Sequence, residues 1–179
     1  GATCEPPVGG AGGQAQAWLE AAAGEVCRVE VPAGEVADEP IVVDMAQVAC
    51  AAFVLDVVVG AGAQASVVVV GNAPASVALG TTSGWSVRIA VEEGARLDLF
   101  SVVACDAPQM LDNVGLVAQK GASVHVKQYV LSAQLSSTGF RCDLVGDGST
   151  LELDARYLGR GTQTLDLGHV VRQIGKHTL

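Results

Sequence analysis

Apolar and polar residues alternate along most of this chain, and the alternation returns at a fixed interval after a glycine-containing turn. The clearest copies of this unit are Glu93–Leu99, Lys120–Val126 and Asp147–Leu153. Their glycines Gly94, Gly121 and Gly148 are 27 residues apart, and we expect Gly175 to continue the series. Alternation of this kind is typical of β-strands, and a fixed period in this range is typical of repeat folds.

The period predicts an all-β solenoid of about 27 residues per coil, in which each coil pairs its strands in parallel with those of the previous coil. Looser copies at Gly34 and Gly62 extend the repeat towards the N-terminus. Glycine suits the corners, because a corner needs positive φ values that other residues rarely adopt. An ordinary β-sandwich with glycine turns is the alternative.

The N-terminal part of the chain has a different composition. Residues Gln14–Ala23 have helix-forming composition, with Trp18 and Leu19 available for docking and Gly24 placed to end the helix. We therefore divide the chain into an N-terminal segment, 1–24, with a short helix, and a β-helix core, 25–179.

Stacking the copies predicts columns of side chains. The inward positions are Leu97, Leu99, Val124, Val126, Leu151 and Leu153, and the outward column is Asp98, His125 and Glu152. A second column places Cys142 and His169 inside the solenoid, one coil apart. A neutral histidine beside a thiol can lower the thiol pKa and make it nucleophilic. A small buried cysteine and a hydrogen-bonded core histidine are the alternative.

Composition supports a narrow interior. Half of the residues are hydrophobic but only 4% are aromatic, which suits an interior of small aliphatic side chains where large rings fit poorly. The apolar fraction excludes disorder, and no uninterrupted run of apolar residues is long enough for a transmembrane span. A net charge of -9 weighs against nucleic-acid binding, because a phosphate backbone would be repelled.

The sequence offers little support for catalysis or a metal site. The five cysteines include no CxxC pair, and their odd number favours a reducing cytoplasm over a disulfide framework. The three histidines show no standard metal spacing, and no HExxH or GxSxG motif occurs. We therefore expect a protein that is not an enzyme and has no metal site.

The segment Phe140–Thr178 resembles the core of the SufB/SufD family of iron–sulfur cluster assembly proteins, and SufD more closely than SufB. The matching residues are Gly146, Gly148, Gly159, Gln163, Leu165, Asp166, Gly175, Lys176 and Thr178. A looser match is Val29–Ile41, which looks like the family's entry strand. The chain departs from the family at Thr164 and Gln173, where histidine is usual.

The resemblance implies a right-handed parallel β-helix and a cytoplasmic scaffold that works with SufB-like and SufC-like (ATPase) proteins. It also implies an iron–sulfur cluster in the assembled complex, with no cofactor held by this chain. The family's ATPase-binding helices and proposed cluster positions follow the point where this sequence stops, so we expect a core truncated at its C-terminal end.

Three functional hypotheses follow. The first is a SufD-like scaffold that acts by protein–protein association, and the second is a carbohydrate-binding or carbohydrate-active β-helix. The low aromatic content weighs against the second, because sugar sites usually display aromatic side chains. The third makes Cys142 and His169 a relay for sulfur or iron. We also expect the end near Leu179 to pair with another copy as a homodimer, to fray, or to be capped by the N-terminal helix.

Overall fold

The computed structural model describes residues 5–45, 52–71, 82–104, 107–131 and 134–179. Within these ranges one helix precedes a long series of strands. The elements are α1 (Gly13–Ala22), β1 (Ala23–Val31), β2 (Ile41–Asp44), β3 (Ala52–Val59), β4 (Gln64–Gly71), β5 (Thr82–Val91), β6 (Arg96–Val103), β7 (Gln109–Ala118), β8 (Ser123–Val130), β9 (Leu135–Leu144), β10 (Thr150–Tyr157) and β11 (Thr164–Gln173).

The strands form two sheets that face each other. Sheet A has the order β1-β3-β5-β7-β9-β11, and sheet B has the order β2-β4-β6-β8-β10. Strands within each sheet pair in parallel. Each coil contributes one strand to each sheet, so the predicted parallel β-solenoid is confirmed, with about five turns. The handedness of the coil stays a prediction.

Coil length varies around the predicted period. Paired residues are 27 apart between β6 and β8, 32 apart between β3 and β5, and 29 apart between β9 and β11. Apart from a register shift between Ala23 and Val26 in the β1–β3 ladder, the strands keep their register, and the difference in coil length is taken up in the connections between them. Ten residues, for example, separate β4 from β5.

The corner glycines adopt the positive φ values that the repeat predicted. The values are 73° at Gly34, 67° at Gly62, 65° at Gly94, 65° at Gly121 and 71° at Gly148. The prediction that Gly175 continues this series is wrong, because His177 takes the corner position with φ 55°. Gly175 instead approaches Gly146 of the previous coil. The last coil is two residues longer than the one before it, which moves the corner from 175 to 177.

The inward columns form the hydrophobic core. Leu97, Leu99, Val124 and Val126 are at most 2% exposed, and Leu151 and Leu153 pack on the same core, so this part of the prediction is confirmed. The expectation that large rings fit poorly is wrong for Trp85 and Phe140, which are 4% and 1% exposed. The indole of Trp85 occupies the space beside Gly71, where a Cβ atom would overlap the ring.

The N-terminal residues 5–12, here called the strap, cross the outer face of sheet A. The Gly10 N–H donates to the Val114 carbonyl (3.3 Å), and the Ala11 N–H donates to Oδ1 of Asn113 (3.0 Å). A Cβ atom at Gly115 or Gly139 would overlap strap backbone atoms. Glycines in sheet A therefore allow the strap to lie directly on the backbone of β7 and β9.

Helix α1 returns from the strap across β7, β5, β3 and β1. Leu19 is fully buried, whereas Trp18 is 41% exposed, so only one of the two predicted residues docks. Arg88 on β5 connects sheet A to the helix, because its guanidinium binds Asp56 on β3 (2.6 and 2.9 Å) and Glu20 on α1 (3.1 Å). The helix ends at Ala22, slightly before the predicted end, and the division of the chain at 24/25 stays a prediction.

Strands β10 and β11 form what we call the open end of the solenoid, since each is the last strand of its sheet in the described part of the chain. The prediction that the N-terminal helix caps this end is wrong, because the helix lies on the face of sheet A. The Leu179 N–H donates to the Ser149 carbonyl (3.2 Å), and the Leu151 N–H donates to the Leu179 carbonyl (2.8 Å), so the chain after β11 begins to pair with the start of β10 in sheet B. None of the helical segments in the described ranges has the length and hydropathy to cross a membrane.

Candidate functional site

A series of hydrogen-bonded polar side chains lies inside the solenoid, between the two sheets. Asp112 on β7 is completely buried. Its Oδ1 accepts a hydrogen bond from Nε1 of Trp85 on β5 (2.7 Å), and its Oδ2 accepts one from Nε2 of Gln128 on β8 (2.9 Å). Gln128 is itself only 1% exposed. Each buried polar group therefore has the partner that burial requires.

The strand register explains why these side chains meet. Trp85 and Asp112 are partners in sheet A, on adjacent coils. Gln128 comes from sheet B, where it points inward in phase with Val124 and Val126. The side-chain columns predicted from the repeat do not include this cluster. The available signal was that Asp112 and Gln128 stand at inward positions of their strands, where the pattern calls for apolar residues.

The interior changes the acid–base properties of Asp112. Burial raises its pKa to about 6, even though the hydrogen bonds from Trp85 and Gln128 act in the opposite direction. Both of those donors are neutral, so they offset only part of the cost of removing the charge from water. A buried carboxyl with a pKa near neutrality is typical of functional sites, although structural networks also produce it.

The hydrogen bonds continue from Gln128 to the open end. Oε1 of Gln128 lies 3.1 Å from Nε2 of His169 on β11, and the hydroxyl oxygen of Tyr157 on β10 lies 2.8 Å from the same nitrogen. Burial lowers the pKa of His169, and burial followed by the charge of Asp112 raises the pKa of Tyr157. We call the set Trp85, Asp112, Gln128, His169 and Tyr157 the polar chain.

The predicted stacking of Cys142 and His169 one coil apart is wrong by two residues. Cys142 pairs with Val171 in the ladder between β9 and β11, and His169 pairs with Phe140. The two residues share the inward face, but the extra length of the last coil moves His169 along the strand. The ring of His169 lies 6.1 Å from that of Phe140.

The thiol of Cys142 does not have the properties of an activated nucleophile. It is fully buried, and burial, followed by the charge of Asp143, raises its pKa to about 12. The predicted lowering of this pKa by His169 is therefore wrong. Cys27 on β1 is exposed. Cys4, Cys50 and Cys105, which entered the argument about disulfides, lie outside the described residues.

We expect Cys142 to resist alkylation in the folded protein, because the thiolate is the reactive species and burial suppresses it. The measurement is the number of iodoacetamide adducts at pH 8 by mass spectrometry, with and without urea. Cys142→Ser is expected to leave the native adduct count unchanged and to lower the denatured count by one. Cys27→Ser, the exposed control, is expected to lower both counts. Loss of a native adduct in Cys142→Ser would contradict the expectation.

The predicted outward column on sheet B is confirmed. Asp98, His125 and Glu152 are register partners on β6, β8 and β10. Nδ1 of His125 lies 3.0 Å from Oδ1 of Asp98, and its Nε2 lies 4.0 Å from Oε2 of Glu152. Within the described ranges, no group of three or more histidine, cysteine, aspartate or glutamate side chains is arranged to hold a metal ion. The expectation of no metal site stays a prediction.

A family model described as the SUF system FeS cluster assembly, SufBD core domain, matches residues 41–179. These residues include every strand from β2 to β11 and the whole polar chain. No curated protein and no solved structure matches the chain.

Proposed function

The chain belongs to the SufBD family of SUF iron–sulfur cluster assembly proteins, and from this premise we propose that it acts as a SufD-like scaffold. In this proposal it works by protein–protein association rather than by catalysis, in the cytoplasm, with SufB-like and SufC-like (ATPase) partners. The cluster is the cargo of the assembled complex, and this chain holds no cofactor of its own. The family match carries the proposal and favours it over carbohydrate binding.

The open end of the solenoid supports association as the mode of action. Among the described residues β11 pairs on one side only, with β9, and a strand edge of this kind can pair with a further strand. Exposed apolar side chains accompany this edge: Val170 is 47% exposed, Val171 44% and Ile174 53%. We place the partner contact, whether with a SufB-like protein or a second copy of this chain, at this end.

Reconstitution tests this function. The full native protein is mixed with SufB-like and SufC-like proteins from the same source, and the mass of the complex is measured by gel filtration with light scattering. We expect a stable complex and a cluster yield that depends on this chain. The absence of any complex would refute the scaffold role, and a homodimer alone would refute the assignment of partners.

Two matched substitutions test the location of the contact. Val171→Lys places a charge at the open end, whereas Val42→Lys places one on β2, where Val42 is 63% exposed. A buried unpaired charge at an interface is costly, so we expect Val171→Lys to weaken association at least about tenfold and Val42→Lys to leave it unchanged. If both substitutions change the dissociation constant equally, the partner contact does not lie at the open end.

Cys142 and His169 enter this proposal only as separate residues. The β9–β11 ladder places His169 opposite Phe140 and not opposite Cys142, and the sulfur or iron relay between them stays a prediction. A test of the relay is the cluster yield of Cys142→Ala in the reconstituted complex. An unchanged yield would remove Cys142 from any role in transfer.

A further inference from the structure

The polar chain restricts where the hydrogen of the His169 imidazole can be. An ionised carboxylate only accepts hydrogen bonds, so Gln128 must direct its NH₂ group at Asp112. The amide oxygen of Gln128 therefore faces Nε2 of His169 at 3.1 Å. Since that oxygen also only accepts, the hydrogen bond forms only when Nε2 carries the hydrogen.

We propose that Asp112 is a positioning residue that acts through Gln128 to hold His169 as its neutral Nε2–H tautomer, with an unprotonated Nδ1 at the open end. The hydroxyl oxygen of Tyr157, 2.8 Å from Nε2, shares the same hydrogen as a second acceptor. Nδ1 has no hydrogen-bond partner among the described residues, and the His169 residue is exposed. Its lone pair is thus available to a proton donor that approaches this end.

The same geometry makes the tautomer depend on the protonation of a carboxyl in the core. The Trp85 N–H holds Oδ1 of Asp112, so an added proton resides on Oδ2, which faces Gln128. Oδ2–H then donates to the amide oxygen, and Gln128 turns its NH₂ group towards His169. His169 releases the Nε2 hydrogen to water and takes one from water on Nδ1, so the net uptake is the single proton on Asp112.

Within the described part of the chain, few other ionisable groups enter this part of the interior. Tyr157 on β10 contributes its hydroxyl, and Cys142 on β9 lies two positions beyond Phe140. β6 contributes Ser101 beside Gln128, and β9 contributes Thr138 beside Asp112; both are uncharged. Among the described residues, Asp112 is therefore the group whose charge sets the orientation of the Gln128 amide.

Asp112→Asn reproduces the protonated carboxyl without a change of pH. The Trp85 N–H requires an acceptor, so the oxygen of the substituted amide faces the indole and its NH₂ group faces Gln128. Gln128 must then present its oxygen to that NH₂ group and its own NH₂ group to His169. We therefore expect this variant to favour the Nδ1–H tautomer of His169, with the Nε2–H to Nδ1–H ratio lowered by roughly tenfold or more.

The measurement is ¹⁵N NMR of histidine-labelled protein at pH 8, with the His169 signals assigned from a His169→Gln variant. His125 and His177 serve as internal references whose shifts should not change. Tyr157→Phe is the control, because it removes the second acceptor but keeps Gln128 and should retain the Nε2–H tautomer. Gln128→Leu removes the amide that connects Asp112 to His169. In the Gln128→Leu protein, the additional substitution Asp112→Asn should no longer alter the tautomer of His169.

An unchanged His169 tautomer in Asp112→Asn would overturn the proposal, and so would an Nδ1–H tautomer in the original protein. If Asp112→Asn does not fold, the tautomer of His169 in the single variant Gln128→Leu tests the proposal. Loss of the Nε2–H preference supports the proposal, and an unchanged preference overturns it. The experiment uses the isolated chain, so its result does not depend on the scaffold role, which only the partner proteins test.

Discussion

Gly146→Ala is expected to lower the free energy of unfolding by about 3 kcal/mol, because the added methyl group meets backbone rather than a movable side chain. A Cβ atom at this corner would overlap the backbone nitrogen of Lys120 and its neighbours in the previous coil. The two coils are also joined there by a hydrogen bond from the Gly146 N–H to the Ala118 carbonyl (3.2 Å). Relief of the overlap would separate the coils and weaken that bond.

Two matched substitutions separate this overlap from other costs of replacing glycine. Gly148→Ala, at the same corner, meets nothing within 4 Å but has φ 71°, so it is expected to cost about 1 kcal/mol through backbone strain. Gly168→Ala on β11 meets no atom and is not among the glycines with positive φ, so it should change stability by less than about 0.5 kcal/mol. Urea denaturation gives all three values. If Gly146→Ala lowers the free energy of unfolding no more than Gly148→Ala does, the expectation is contradicted.

Asp112→Asn is expected to raise the free energy of unfolding at pH 8 by about 3 kcal/mol, which corresponds to the pKa difference between 3.8 and about 6. The folded-state pKa of Asp112 is raised. Its contribution to stability is therefore fully present below pH 4 and is lost as the pH rises through 6. The advantage of Asp112→Asn should shrink towards zero as the pH falls from 7 to below 4.

The comparison of unfolding free energies across pH isolates this residue, because the other titrating groups are common to both proteins. Asp143→Asn is the control, because it is expected to lower the free energy of unfolding, whereas Asp112→Asn is expected to raise it. Asp143 is a nearly buried carboxyl that pairs with Arg141 (3.2 Å) and Arg172 (3.3 Å), and its loss should cost about 1 kcal/mol. A stability difference between Asp112→Asn and the original protein that is independent of pH would contradict the expected role of Asp112.

A core position that lowers stability is more common at a site of function than elsewhere. The polar chain fits this description, because the buried carboxylate of Asp112 lowers stability near neutral pH and the core holds it with two further polar side chains, Trp85 and Gln128. Its presence within residues 41–179, which match the SufBD core domain, makes it the first part of the solenoid to test in cluster assembly.

The repeat made the fold predictable from the sequence. In-phase alternation at Leu97, Val124 and Leu151 fixes which side of each strand is buried, and the glycines at 94, 121 and 148 mark the corners. The prediction was wrong where a connection changes length, since spacing alone cannot show that two residues were added before β11. That difference moved the corner from Gly175 to His177 and separated His169 from Cys142.

The candidate site was less predictable because its members come from both sheets. Stacking of copies relates residues within one sheet, such as Trp85 and Asp112, but it does not show which residue of sheet B faces them. The contact of Gln128 with both Asp112 and His169 depends on how the two sheets face each other. The strap was missed for a related reason, because Gly115 and Gly139 resemble any other strand glycine until the chain crossing them is known.

The strap has a consequence for how the molecule unfolds. In a stack of coils each coil contacts only its neighbours, so such a protein can open from either end in steps. The strap and α1 join residues 102 apart in sequence and bridge sheet A from β1 to β9. They therefore couple coils that are otherwise independent and favour a single cooperative transition for that part. β10 and β11 lie beyond their reach, so we expect the amide hydrogens of these two strands to exchange by local opening more readily than those of β1, β3, β5, β7 and β9.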